Sequence, residues 1–212
     1  MTREAGRQTR HGFSFGPFYD PERIAFGPLI GLNDDLLASG AGYDDHEHAD
    51  VVLVTWVVSG TLVHGDAEGE VDQVAGQLSI TSTGSGIVHS ERAGAGATRF
   101  VQAWLRPGQT GGAPSRRTST PDLAAGDLVV VADEDDLDVP GATLRLASLA
   151  DGATVSVPDA PLRYVLVVSG ALIRSSLAEP LSAGDAFEIT GDHPIEVTAA
   201  VPTQLMVWSF AS

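Results

Sequence analysis

Short apolar runs closed off by Gly, Asp or Pro recur along this chain, and segments with a helical period are scarce. The run at 51–58 is nearly continuous, as expected of a strand buried on both faces. Residues 78–83, 100–105, 128–131, 144–149 and 204–210 have the same character. Turn residues separate them at intervals of roughly 8–12 positions, the rhythm of a β-sandwich or barrel. The pattern therefore predicts an all-β chain.

The pattern also repeats. Residues 54–63, Val-Thr-Trp-Val-Val-Ser-Gly-Thr-Leu-Val, match 164–173, Tyr-Val-Leu-Val-Val-Ser-Gly-Ala-Leu-Ile. Downstream, 74–81 match 181–189, with Ala183-Gly184-Asp185 at the second turn. Each copy reads as strand, Ser-Gly turn, strand, loop, Gly turn, strand, so the chain is expected to form two similar barrels. Residues 107–121 are rich in Gly, Pro, Ser, Thr and Arg without periodicity and read as a linker or crossing loop. This gives an N-terminal barrel over 1–120 and a C-terminal barrel over 121–212.

Two pairs of polar residues carry the chemistry: His46-Glu47-His48 and His89-Ser90-Glu91. Residues two apart on a strand share one face. Two such strands facing each other inside a barrel would bring three imidazoles and one carboxylate onto one divalent transition metal, with coordination positions left open. The corresponding positions of the second copy fall near Ser156, Pro158, Val197 and Ala199, none of which replaces an imidazole. His193, in an Asp-His-Pro context, reads as a turn residue, and the C-terminal barrel as a metal-free partner.

Composition narrows the function. The absence of cysteine excludes disulfides, thiolate metal sites and thiol nucleophiles, so a metal must sit among His, Asp and Glu. A net charge of −16, with every basic residue an arginine, disfavours nucleic acid and anionic membranes as partners. No stretch approaches the roughly 18 apolar residues that span a bilayer. The polar, basic segment 1–10 has no apolar core behind it, and a cytoplasmic protein, monomeric rather than oligomeric, is expected.

In this order and spacing, the barrel repeat and ligand pairs resemble the pirin family of the cupin superfamily, including its bacterial quercetinase-like members. The segment His11-Gly-Phe-Ser-Phe-Gly-Pro-Phe-Tyr-Asp-Pro21 resembles the family's amino-terminal segment, and Ile30-Gly-Leu-Asn-Asp-Asp35 the strand and turn after it. Gly84-Ser-Gly-Ile-Val-His-Ser-Glu91 resembles its second metal motif. The likeness is strong over 11–106 and architectural beyond about residue 120. It implies a bicupin, two antiparallel barrels of the double-stranded β-helix type facing each other. It places the family's metal ligands on His46, His48, His89 and Glu91 and the metal, usually iron, in the first barrel. It also implies cleavage of a flavonol such as quercetin by dioxygen. Two departures stand out: Glu47 takes the place of the proline usual between the first two histidines, and Val52 that of a glutamate usual four residues after the second.

Three imidazoles and a carboxylate suit Fe(II), Mn(II), Co(II), Ni(II), Cu(II) or Zn(II), of which the resemblance favours Fe(II). Such an ion would act as a Lewis acid toward a small enolisable aromatic substrate, with Glu91 as ligand and as the base that takes the substrate's proton. Of the remaining polar candidates, His64 reads as a rim side chain, His11 as a packing or capping residue, and Asp44 and Asp45 as a solvated turn. Trp56 and Trp104 read as core; Phe13, Phe15, Phe18 and Tyr19 as the cover of a barrel edge; and the acidic run 133–136 as a solvated loop. Two other readings stay open at this point. One is a non-enzymatic regulatory metalloprotein acting through a protein partner, and the other a cupin enzyme on an unrelated substrate.

Overall fold

Antiparallel pairing builds every sheet in the computed structural model, which describes residues 1–16, 19–123, 126–173, 179–191 and 193–211. The chain divides into two units, Met1–Pro121 and Asp122–Ser212. The first holds β1 (Thr2–Glu4), β2 (Arg7–His11), β3 (Leu29–Leu37), β4 (Gly42–His48), β5 (Val52–Ser59) and β6 (Thr61–Asp66). It continues with β7 (Gly69–Val74), β8 (Leu78–Ser82), β9 (Ile87–Ala93), β10 (Thr98–Leu105) and β11 (Ser115–Ser119). These form a seven-stranded sheet, β1-β2-β3-β10-β5-β8-β11, and a four-stranded sheet, β4-β9-β6-β7.

The two sheets of this unit meet through side chains selected by strand alternation. Leu37, Val57 and Phe100 of the larger sheet pack with Leu62 and Ala93 of the smaller in one buried cluster. Each of the larger side chains contributes about 1.5–3 kcal/mol by leaving water. Two residues further along each strand, on the same faces, the interior turns polar. Thr55 precedes Val57 on β5, Gln102 follows Phe100 on β10, Glu91 precedes Ala93 on β9, and His64 follows Leu62 on β6; all four are buried. The apolar end fixes the sheets, and alternation then delivers polar groups to the other end.

The histidine pairs do not face each other across the barrel, as their spacing alone suggested. Strands β4 and β9 are hydrogen-bonded neighbours in one sheet, and β6 flanks β9 on its other side. The segment 107–121 also differs from expectation: its Ser115–Ser119 portion is β11, paired with β8 from Ser115↔Ser82 to Ser119↔Leu78. Trp56 is buried as expected, whereas Trp104 is only half-buried and lines a cavity.

The second unit contains β12 (Val129–Ala132), the short helix α1 (Glu134–Leu137), β13 (Thr143–Leu149), β14 (Thr154–Val157), β15 (Leu162–Ser169) and β16 (Ala171–Leu172). Strands β17 (Leu181–Ser182), β18 (Ala186–Thr190), β19 (Ile195–Thr198) and β20 (Thr203–Phe210) complete it. The acidic run is thus a helix start and not a loop: the Asp133 side chain accepts from the amides of Asp135 and Asp136, and Asp136 reciprocates to the amide of Asp133.

Both units use the same turn device, which confirms the internal repeat. Gly60 and Gly170 sit at φ 80° and 81°, where a Cβ would strike the carbonyl oxygens of Ala97 and Pro202 at 2.4 Å. Thr98 and Thr203 clamp the strand after each turn, their hydroxyls bonding the backbone of Thr61 and Ala171. In the second unit the strands equivalent to β4 and β9 are β14 and β19, and their inward residues are Val155, Val157, Ile195 and Val197. Ser156, aligned above with His46, points outward, so the correspondence is displaced by one residue. His193 lies outside a strand, and its carbonyl accepts at 2.8 Å from the guanidinium of fully buried Arg163.

Gly42 lets β4 lie against β9. A Cβ there would come within 2.1 Å of the Glu91 carbonyl oxygen and 2.4 Å of the Arg92 Cα. Gly42→Ala is therefore expected to push the strands apart and cost about 1–3 kcal/mol, as overpacking does. Chemical denaturation measures it, and an unchanged midpoint would show that β4 does not depend on this approach.

Candidate metal centre

His46 and His89 are direct cross-strand partners on β4 and β9, with ring centroids 4.4 Å apart. His48 completes a triangle, its ring 4.9 Å from His46 and 5.1 Å from His89. One potential ligand atom from each of the three lies within 4.8 Å of the others. A β-bulge makes this possible. Tyr43 pairs with Glu91 and His46 with His89, leaving Asp44 and Asp45 opposite the single residue Ser90. Without the extra residue, His46 and His48 would fall on the face opposite to Tyr43; the bulge puts all three on one side.

The bulge also orients the first ring. His46 Nδ1 lies 2.7 Å from the Asp44 carbonyl oxygen, which can only accept, so Nδ1 carries the proton and Nε2 keeps its lone pair. The side chains of Asp44 and Asp45 are exposed, as expected of a solvated turn, and it is the Asp44 backbone that orients the ring. His48 Nε2 and both ring nitrogens of His89 are buried with no hydrogen-bond partner among the described residues. Buried polar nitrogens without partners are rare and costly. Burial holds His48 down to about 4 and His89 to about 3, with the His46 charge adding to both shifts. Both rings are thus neutral near pH 7, the form that donates to a metal. A set of three imidazoles with free nitrogens fits a divalent first-row transition ion.

Glu91 groups with His64 and His89, and not with His46 and His48, at the same 4.8 Å spacing. Its carboxylate is held by Gln102, whose Nε2 donates to both oxygens at 2.9 and 3.0 Å. Gln102 also donates to Thr55 Oγ1 at 3.1 Å and accepts from Trp104 Nε1 at 2.8 Å. Burial pushes the Glu91 carboxyl up to about 7, against the lowering effect of the Gln102 bond. Gln102 carries no motif; its only sequence signal is an amide inside the apolar run 100–105.

His64 departs furthest from its expected rim position. It is 4% exposed, faces Glu91 across β6 and β9, and lies 5.1 Å from the His89 ring. The signal was available, because His64 shares strand parity with the core residue Leu62. Glu47 points to solvent, and Val52 is fully buried in β5.

A cavity of about 260 Å³ opens beside His46 and Glu91, walled by Phe15, Asp35, Tyr43 and Trp104. Trp104 stands edge-on to His48 at 4.9 Å. Tyr43 donates to Asp35 Oδ1 at 2.7 Å, and Thr9 bonds both. Burial raises both the Asp35 carboxyl and the Tyr43 hydroxyl, keeping the tyrosine protonated. His11 bonds Thr2 and Asn33 and stacks on Phe15 at 4.4 Å, in keeping with a packing role. Of the aromatic cluster, Phe13 is buried, Phe15 lines the cavity, Tyr19 is exposed, and Phe18 lies outside the described residues.

A model of the family described as Pirin matches residues 1–105. The chain is 34% identical, over 98% of its length and 90% of the other, to a Mycobacterium tuberculosis protein named "Putative quercetin 2,3-dioxygenase Rv0181c". It is 36% identical to the quercetin 2,3-dioxygenase of Escherichia coli K12 over 57% of this chain and 54% of that one. Among solved structures it is similar to the E. coli bacterial pirin YhhW in complex with nickel(II), with TM-score 0.87, 25% identity and coverage of 99% and 93%.

The buried groups set a pH dependence in the metal-free protein. His48 and His89 have folded values below the unfolded value near 6.5, so the unfolded chain takes up their two protons first and stability falls with acid from about 6.5 downward. Glu91 opposes this, because its folded value near 7 lies above the unfolded one near 4.5. His64, which burial also lowers, acts in the same direction as these two imidazoles, so a net loss of stability remains between pH 6.5 and 4.5. Thermal unfolding in chelator should show it, with the slope much reduced in the His48→Gln, His89→Gln chain, where His64 and Glu91 oppose each other. An unaltered slope would mean that these rings are not buried neutral.

Proposed function

This chain belongs to the pirin family, and from that membership and its imidazole triangle we propose that it is a metal-dependent dioxygenase acting on a flavonol of the quercetin type. The carrying observation is the cluster of buried, unpartnered imidazole nitrogens beside an aromatic-walled cavity. His46, His48 and His89 would hold the ion, with Glu91 as the fourth ligand. Iron is the metal that the resemblance implies, while the similar YhhW structure holds nickel. The bound ion supplies a Lewis acid that favours the ionised form of the substrate's hydroxyl.

The chain's own residues do the rest. Trp104, Tyr43 and Phe15 offer aromatic surface to a flat polyphenol and exclude water around it. Glu91 lines the cavity and would take the hydroxyl proton as its bond to the ion loosens. Gln102 holds that carboxylate by both oxygens and ties it to the cavity wall through Trp104. Val52 leaves the donor set intact and removes a carboxylate from its surroundings. The partners are thus a small aromatic molecule and dioxygen, and the charge of −16 disfavours nucleic acid.

Anaerobic Fe(II)-loaded protein mixed with quercetin should bind it, and the flavonol's visible absorbance should disappear only on admitting air. Glu91→Gln should keep most of the metal and lose turnover by about 100-fold or more, within the range for a lost general base. Binding without turnover in air would contradict the enzymatic reading and favour a regulatory one. Full turnover in the Glu91 variant would remove Glu91 as the base.

A further inference from the structure

His89 stands on β9, the strand between β4, which carries His46 and His48, and β6. On β6, His64 is the direct cross-strand partner of Glu91. We propose that His64, His89 and Glu91 form a second, overlapping position for a divalent transition metal. The inference rests on the metal-binding reading above and extends it from one position to two.

Four observations carry it. The candidate ligand atoms of these three residues lie within 4.8 Å of one another, and the residues are 4%, 1% and 4% exposed. The Asp66 carboxylate lies 3.3 Å from His64 Nε2, the kind of tie that fixes ring and tautomer in metal-bound histidines and leaves the other nitrogen to the ion. A histidine serving a single ion usually donates its other ring N–H to a partner, yet neither His89 nitrogen has one among the described residues. The second position also has its own approach, a cavity of about 490 Å³ lined by His64, Asp66, Thr81, Ser115 and Arg116, whereas the first cavity opens at His46 and Glu91.

Charge ranks the two positions. The Arg116 guanidinium is half-buried beside the second, with Nε and Nη2 unpartnered among the described residues, and disfavours a cation there. The carboxylates of Glu91 and Asp66 outweigh it, being the groups whose charge Arg116 feels. The second position is therefore weaker than the first. When both fill, His89 gives its second ring proton to solvent and offers one nitrogen to each ion.

Calorimetric titration with Co(II) tests this in two ways. The chain carrying His46→Gln and His48→Gln should still bind one Co(II), and adding His64→Gln should weaken that binding at least tenfold. If the unaltered chain binds Co(II) while the doubly substituted chain binds none, the second position is overturned. If the unaltered chain binds none, the metal-binding reading fails instead. The single variant His64→Gln keeps the first three imidazoles and guards against a misfolded double variant. It should retain the tight equivalent and lose a weaker second one seen with the unaltered chain, and identical titrations of the two would overturn the proposal.

Discussion

Strand alternation along β9 is the constraint on which the rest depends. Ala93, Glu91 and His89 project from one face of that strand, so whatever fixes Ala93 in the apolar cluster also aims Glu91 and His89 inward. β4 and β6 flank β9 and inherit the same rule, which sets His46 and His48 on one side of His89 and His64 on the other. The unpartnered ring nitrogens each cost about 1–3 kcal/mol of lost hydration. That cost is sustained by the apolar end of the same sandwich, where Leu37, Val57, Leu62 and Phe100 are fully buried. Stability is thus concentrated at one end of the unit and chemistry at the other.

The second unit shows what the same pairing does without that cost. Val155, Val157, Ile195 and Val197 occupy the inward positions of β14 and β19 and join a continuous apolar cluster. The turn glycines and threonine clamps match between units, so the repeat preserves backbone geometry and differs in the chemistry of the inward side chains.

The strands and the ligand pairs were legible because alternation and i, i+2 spacing are properties of the chain itself. That the pairs are neighbours in one sheet was not, since sheet order depends on long-range contacts. The bulge at Asp44 and Asp45 left no trace in the motif, although it decides which face His46 takes. His64 precedes Gly65 and the exposed Asp66 at the end of β6, and only its parity with Leu62 points inward. The Arg116 strand was hidden in a segment whose Gly and Pro content reads as loop, because β11 is stabilised by pairing with β8 and not by its own propensity. Gln102 could not be assigned a role without seeing the carboxylate it holds.

His89 belongs to both groups of candidate ligands, so its removal tests the account most directly. The measurement is the transition-metal content of protein purified without an affinity-metal column, compared between the unaltered chain and His89→Gln. At least one first-row transition ion is expected in the former and its loss in the latter, with the fold kept. A folded His89→Gln protein carrying the same metal content would contradict it.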